Sequence, residues 1–329
     1  MPIFSVVIPT YNRRARLLRA LRSVLDQSYR DFEVIVVDDG SSDGTAEAVA
    51  SFGSSVRYLS QRNRGPGPAR NAGVRAARGQ YVAFLDSDDR WFPWTLEVLA
   101  ACLHDHPGAT WLCGARVSSA EPRSIESAAP LPIDATYFSS YLAAAAVDGL
   151  LPLPTGVAIS RAVLLRSGGF SETQRVGEDI DLWFRIGAAP GFVRVDAPPL
   201  YVRERHEGSL SEDIARSFDG LRQLVGRELT GAYGERDGDA AFVRRSILAA
   251  VLMYYTLSYR QRGTPRLAAR LYLDVLCLQA ESSFREALFG GHRNRFLLTF
   301  PLLWVSPRAH TWVKRALGAV APWGVVRSA

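Results

Sequence analysis

The stretch 32-FEVIVVDDGSSDGT-45 decides how the first half of this chain folds. Glu33–Val37 carries a β-branched run of the kind strands favour, and Asp38-Asp39-Gly40 stops it. Asp43 and Thr45 are both suitable caps for a helix that follows. The same alternation continues on either side. Ile3–Ile8 is a short apolar run that ends in the turn Pro9-Thr10-Tyr11-Asn12, and Ala15–Gln27 places Leu17, Leu18, Leu21, Val24 and Leu25 at helical spacing. Val56–Leu59 reads as a strand, and Gly65-Pro66-Gly67-Pro68 breaks the chain before a helix over Ala69–Ala77. Tyr81–Leu85 is a further strand ending at Asp86, followed by a helix over Trp94–Leu103 and a strand over Thr110–Val117. Strands alternating with helices of roughly 10–15 residues predict βαβ units around a mostly parallel sheet, an α/β fold. In such sheets ligands bind at the carboxyl ends of the strands, so the residues directly after each strand carry the chemistry.

Three of those strand ends are suited to one ligand. In Pro9-Thr10-Tyr11-Asn12 the Tyr11 ring can stack on a nucleobase while the turn's backbone bonds to it. In Asp38-Asp39-Gly40-Ser41 a carboxylate at a strand end can accept the ring N–H of a base such as uracil. In Asp86-Ser87-Asp88-Asp89 clustered carboxylates suit a hard divalent cation, which neutralises a diphosphate and helps it leave. Each motif alone also reads as an ordinary turn. Their order and their placement after successive strands set them apart as a group.

With those segments the sequence resembles the family 2 glycosyltransferases, inverting enzymes with the GT-A fold that use nucleotide sugars. The resemblance rests on VVIPTYNR (Val6–Arg13), FEVIVVDDGSSDGT (Phe32–Thr45), NRGPGPARNAG (Asn63–Gly73), GQYVAFLDSDD (Gly79–Asp89) and GEDIDLWFRI (Gly177–Ile186). It implies that Tyr11 stacks on the base and Pro9 adds a backbone contact, that Asp39 reads uracil, and that Arg70 is an additional nucleotide contact. Asp86 falls where the family contacts ribose or a metal-bound water, and Asp88 at the metal position, for Mn²⁺ or Mg²⁺. Asp179 matches the family's base, with Glu178 orienting the acceptor. An inverting displacement needs a carboxylate opposite the leaving diphosphate, although Glu178-Asp179 equally suits the start of a helix over Ile180–Ile186. His206, in Arg203–Ser211, resembles a histidine that reaches the metal or diphosphate; read alone, it is a solvated loop residue. The processive synthases' Gln-x-x-Arg-Trp motif and several spanning helices do not occur, which favours single-sugar addition. The place of a nucleotidyltransferase's Gly-rich loop holds Pro-Thr-Tyr-Asn, which favours use of a nucleotide sugar over its synthesis.

Composition sets the frame. At 329 residues the chain is about twice a usual domain of roughly 150. It is 47% hydrophobic and 22% charged, which describes a globular protein with a sizeable core. Cys102, Cys113 and Cys277 stand at wide spacing that suits neither a disulfide framework nor a zinc site. The apolar start has no basic residue before it, so no signal peptide is expected. The longest uncharged stretch expected in a helix is Ser246–Tyr259, short of a membrane span.

The net charge of +6 is unevenly placed: residues 244–329 hold 13 Arg/Lys against 3 Asp/Glu, whereas residues 1–243 hold 26 against 30. We therefore expect a catalytic domain over 1–211 and a helical, basic region over 212–329. Helices are expected over Phe218–Leu229, Ala240–Tyr259 and Arg266–Leu288. Trp304, Trp312 and Trp323 among basic residues suit an anionic membrane surface, and an arginine-rich solvated face gives the same pattern. No nucleic-acid recognition fold accompanies the charge. The expected protein is cytoplasmic, peripheral on the inner face of the cell membrane. Its partners would be a nucleotide-sugar donor, UDP-linked before dTDP- or GDP-linked, and a saccharide or lipid-linked acceptor. A polyprenyl-phosphate glycosyltransferase and a non-catalytic nucleotide-binding protein are the alternatives.

Overall fold

The structure, a computed structural model, describes residues 1–119, 132–204 and 213–279. The first βα units are β1 (Phe4–Thr10), α1 (Arg14–Leu25), β2 (Phe32–Asp38), α2 (Thr45–Ala50), β3 (Arg57–Ser60), α3 (Pro66–Ala76) and β4 (Tyr81–Phe84). They are followed by β5 (Arg90–Trp91), α4 (Thr95–Asp105), β6 (Trp111–Gly114), β7 (Arg116–Ser119), β8 (Asp134–Ser140) and α5 (Tyr141–Asp148). Next come β9 (Val157–Ser160), α6 (Arg161–Arg166), α7 (Glu178–Ile186), β10 (Pro190–Ala197) and β11 (Tyr201–Glu204). Three helices complete the described chain: α8 (Ile214–Leu229), α9 (Asp239–Gln261) and α10 (Pro265–Gln279).

Eight strands form one sheet in the order β3-β2-β1-β4-β9-β6-β10-β8. The β3-β2-β1-β4 half is parallel, as the alternating pattern predicts, and β6 pairs in parallel with β10. Strand β9 runs antiparallel to both β4 and β6, and β8 antiparallel to β10. All seven residues of β1 are buried, because helices cover both faces of a parallel sheet and leave no solvent side for a polar alternation. The core beneath includes Val6, Ile8, Leu17, Leu21, Val34 and Val36.

The expected strand over Thr110–Val117 is two strands. β6 lies in the large sheet, whereas β7 pairs with β11 in a second sheet of order β5-β11-β7. The chain turns out at Gly114, where a Cβ would lie 2.1 Å from Leu200 Cδ1, so only glycine lets the two segments approach. Ala115 then exchanges backbone bonds with Val195 and Leu200. Strands β5 and β8 and helix α5 carry no clear signal in the sequence. β5 has two residues, and β8 alternates at a largely exposed sheet edge.

The described residues divide into two compact units. One comprises residues 1–147 and 152–220 and holds both sheets; the other comprises 148–151 and 221–279 and is helical. The division falls within α8, between Gly220 and Leu221. In the helical unit α9 packs along α10, and Glu228 accepts from Nε of both Arg244 (2.8 Å) and Arg245 (3.2 Å), all three side chains being buried. Among the described residues α9 is the one helix long and apolar enough to cross a membrane. Most of its apolar window is buried.

Candidate active site

The ends of β1, β2 and β4 meet through their loops. Asn12, in a left-handed conformation (φ 50°), accepts from the Ser42 N–H through Oδ1 at 2.8 Å and donates its own N–H to Ser41 Oγ at 2.8 Å. Arg14 N–H donates to Asp43 at 2.9 Å. The loops after β1 and β2 are thereby fixed to one another. Pro9 is buried in β1 beside Val37 of β2, and Tyr11 stands outside the core with its ring about half exposed.

The two β2-end aspartates have different surroundings. Asp38 accepts from the Ser41 N–H (2.8 Å) and the Tyr58 hydroxyl (2.6 Å). Burial, then that bond and the Asp38 charge, push the Tyr58 phenol up to about 12. Asp39 is buried, and Oδ1 accepts from Gln61 Nε2 (2.7 Å) and the Arg64 N–H (2.9 Å). Among the described residues its Oδ2 accepts from the Gly65 N–H alone (2.7 Å), which leaves a lone pair for another donor. Asp39 thus fixes the loop that leads into α3.

Helix α3 delivers Arg70 to the middle of the site. Its guanidinium donates through Nη2 to Asp86 Oδ1 (2.7 Å) and through Nη1 to Glu178 Oε1 (2.8 Å), and lies over the Phe170 ring at 5.3 Å. Only 5% of this side chain is exposed. Burial works against the Arg70 charge, but Asp86 and Glu178 outweigh it and raise its pKa. Arg70, expected to touch nucleotide, therefore has both terminal nitrogens committed to two carboxylates of the site.

Glu178 and Asp179 open α7 behind Gly177, which sits at φ 78°. Glu178 is buried, and its carboxyl is pushed up to about 7 by burial and by the adjacent Asp179 charge, against the pull of Arg70. Asp179 is half-buried and accepts from the Ile180 N–H at 2.8 Å. Burial raises its pKa too, and the two acids titrate as a pair. Each is therefore a better proton acceptor near neutral pH than an ordinary surface carboxylate.

Asp86, Asp88 and Asp89 bring carboxylate oxygens within 4.8 Å of one another. Three hard oxygen donors at that spacing fit a divalent cation such as Mn²⁺ or Mg²⁺. Asp89 is buried and accepts from Thr155 Oγ1 (2.7 Å) and the Glu204 N–H (3.1 Å). Its carboxyl is raised well above the usual range by burial and by the Asp86 and Asp88 charges. Asp88 is ion-paired to Arg13, and the Asp86 N–H donates to Thr155 Oγ1 at 3.1 Å. Glu204 accepts in turn from Arg19 (2.9 Å) and Arg90 (2.7 Å).

The structure thus brings Arg70, Asp86, Asp88, Glu178 and Asp179 into one acidic cluster and sets Asp39 at the loop that starts α3. His206 lies outside the described residues. Sequence reasoning missed Arg13, Thr155 and Glu204. Arg13 sits inside a quoted motif, but no local pattern signals its partner 75 positions away.

A mostly parallel sheet with this acidic cluster at its strand ends is the GT-A fold. It aligns with crystal structures of TarS residues 1–349 from S. aureus in complex with UDP-GlcNAc (TM-score 0.58, 24% identity, 78% of this chain and 73% of that one). It also aligns with the mannosyltransferase PcManGT from Pyrobaculum calidifontis in complex with GDP-Man and Mn²⁺ (TM-score 0.57, 20% identity, 94% and 83%). Residues 5–163, just under half of the chain, match the family model described as glycosyl transferase family 2. An uncharacterized glycosyltransferase of Rickettsia conorii is 28% identical over 249 residues, which are 75% of this chain and 40% of that protein. The chain spans between about a third and three fifths of the length of the first Rickettsia relatives it matches.

Proposed function

We propose that the protein transfers one sugar from a nucleotide sugar to a saccharide or lipid-linked saccharide acceptor, inverting the anomeric centre. The observation that carries this reading is the Arg70 bridge. One buried guanidinium joins Asp86, in the acidic cluster, to Glu178, beside Asp179. Donor-side and acceptor-side acids are thereby held as one body.

In this reading Tyr11 stacks on the base, Pro9 contacts it through the backbone, and the open lone pair of Asp39 accepts its ring N–H. UDP is the preferred nucleotide, and the nucleotide-sugar complexes of TarS and PcManGT support the donor class. Asp86, Asp88 and Asp89 would hold a divalent cation, His206 serving as a further ligand to it or to the diphosphate; when bound it neutralises the diphosphate leaving group. Asp179 takes the proton of the acceptor hydroxyl as that oxygen bonds to the anomeric carbon and the bond to the diphosphate breaks. Glu178 holds the Asp179 end of α7 to Arg70 and orients the acceptor. The basic residues from Arg260 onward support work at the cytoplasmic membrane surface, where a lipid-linked acceptor would lie.

The test compares wild type with Asp179→Asn. The variant should bind UDP and Mn²⁺ as wild type does, yet transfer sugar about 10²–10⁴-fold more slowly, the usual span of a lost general base. A variant that turns over at the full rate removes the assignment. Screening nucleotide sugars for thermal stabilisation names the donor.

A further inference from the structure

We infer that Arg13 is an exchangeable counter-ion: it neutralises Asp88 until a divalent cation takes that carboxylate, and its guanidinium then binds the donor's diphosphate. The inference rests on the donor and cation reading above. It starts from how the three clustered carboxylates are balanced. Asp86 is neutralised by Arg70, which is bound at both terminal nitrogens, stacked over Phe170 and 5% exposed. Asp89 is buried and served by neutral donors, the Thr155 hydroxyl and the Glu204 N–H. Asp88 has the Arg13 guanidinium, a second cation at the cluster and a differently built one.

Arg13 is free to leave where Arg70 is not. Its side chain is 25% exposed and borders an open surface depression of about 610 Å³ shared with Asn12, Arg14, Arg16 and Asp43, so it is not packed in as Arg70 is. A divalent cation on Asp88 would repel a guanidinium on the same carboxylate, and that repulsion exceeds the modest attraction of a partly exposed ion pair.

The backbone around Arg13 does not move with it. Asn12 and Arg14 are fixed to Ser41, Ser42 and Asp43, so the swing is a side-chain event at a fixed position. That position is the N-cap of α1, whose first turn holds no acidic residue. A helix start favours negative charge, and although the Arg14 N–H is already held by Asp43, Arg13, Arg14 and Arg16 together make this start basic and suited to an incoming anion.

The two roles leave a thermodynamic signature. Arg13 competes with the cation but assists the nucleotide once the cation is bound, so it adds to the coupling between the two ligands, and coupling is reciprocal. Full-length wild type, Arg13→Gln and Arg13→Met are titrated with Mn²⁺ followed by electron paramagnetic resonance, and with UDP by calorimetry with and without Mn²⁺. Both variants should bind Mn²⁺ alone about five-fold more tightly, in line with the loss of one competing ion pair. The factor by which Mn²⁺ strengthens UDP binding should fall by about the same amount. Variants that bind Mn²⁺ as wild type does or more weakly, or that keep the wild-type coupling, overturn the exchange. Wild type that binds neither ligand overturns the reading of the site itself, so the two failures are told apart by which protein shows them.

Discussion

Arg70 faces two acids with almost no solvent around it, and such a group is costly to remove. Arg70→Met would leave Glu178 buried without its counter-ion and Asp86 without its partner. We expect a loss of about 3–5 kcal/mol of stability, the usual cost of breaking one side of a buried pair, measured by urea denaturation. Arg70→Lys should not restore it, because a single ammonium cannot reproduce the fork that spans both carboxylates. A variant as stable as wild type would remove the bridge from the account of the site.

Glu178 carries the pH dependence. Its folded pKa, about 7, lies above the ordinary 4.5, so the folded state binds the proton more tightly than the unfolded chain. The stabilisation that follows is full below about 4.5 and is lost as pH rises through about 7. Glu178→Gln cannot ionise, so its melting temperature relative to wild type should climb between those two values. A constant difference across that range would contradict the assignment. For the same reason, with Asp179 in the proposed role of base, the acid limb of kcat/KM should lie above the ordinary carboxylate range, because the free pair must first give up its protons. The identities of these acids were legible in two short motifs. Their joining was not, because Arg70 stands 16 positions from Asp86 and 108 from Glu178, and nothing local in a sequence encodes that distance.

At the scale of the element, α3 is the part whose placement decides the site. Two glycines let it approach its neighbours. A Cβ on Gly73 would lie 2.3 Å from Val7 of β1, and one on Gly67 would lie 2.6 Å from the backbone oxygen of Ser171. A backbone atom cannot step aside as a side-chain end can. Gly67→Ala should therefore push the start of α3 away from the segment that leads to Glu178, at a cost of about 1–3 kcal/mol. Transfer should fall further than that loss alone explains, since Arg70 rides on the same helix. Steady-state kinetics on the folded variant checks this, and unchanged kcat would show that α3 tolerates the shift. Read from sequence, Gly65-Pro66-Gly67-Pro68 is a breaker before a helix at Ala69, whereas α3 begins at Pro66 with Gly65 as its N-cap; the pattern is also silent about why Gly67 must be small. The parallel half of the sheet was legible because its strands are near-continuous apolar runs bounded by turn residues. The split of β6 from β7 was not, because it depends on Leu200 arriving from the far end of the domain.

Across the whole molecule the basic C-terminal stretch needs a correction before its charge is counted. Arg244 and Arg245 are buried on Glu228, so they build the helical unit and offer nothing to a partner. Arg260, Arg262, Arg266 and Arg270 are exposed, and the remaining basic residues fall beyond residue 279. α9 has the length and composition of a span, yet it carries this buried ion cluster in its first turns and buries most of its apolar window. Two modes of membrane attachment are thereby separable. A helix inserted in hydrocarbon holds in any salt, whereas attraction of basic residues to anionic lipid collapses when the screening length shrinks to about 3 Å near 1 M salt. We expect the full chain to float with anionic vesicles at low salt, to be released near 1 M, and not to float with zwitterionic ones. Replacing Arg293, Arg295, Arg308, Lys314 and Arg315 together by Gln should abolish flotation and leave UDP binding intact. Flotation that survives high salt would point to α9 as an inserted helix, and no flotation at low salt would leave the basic stretch as a solvated face.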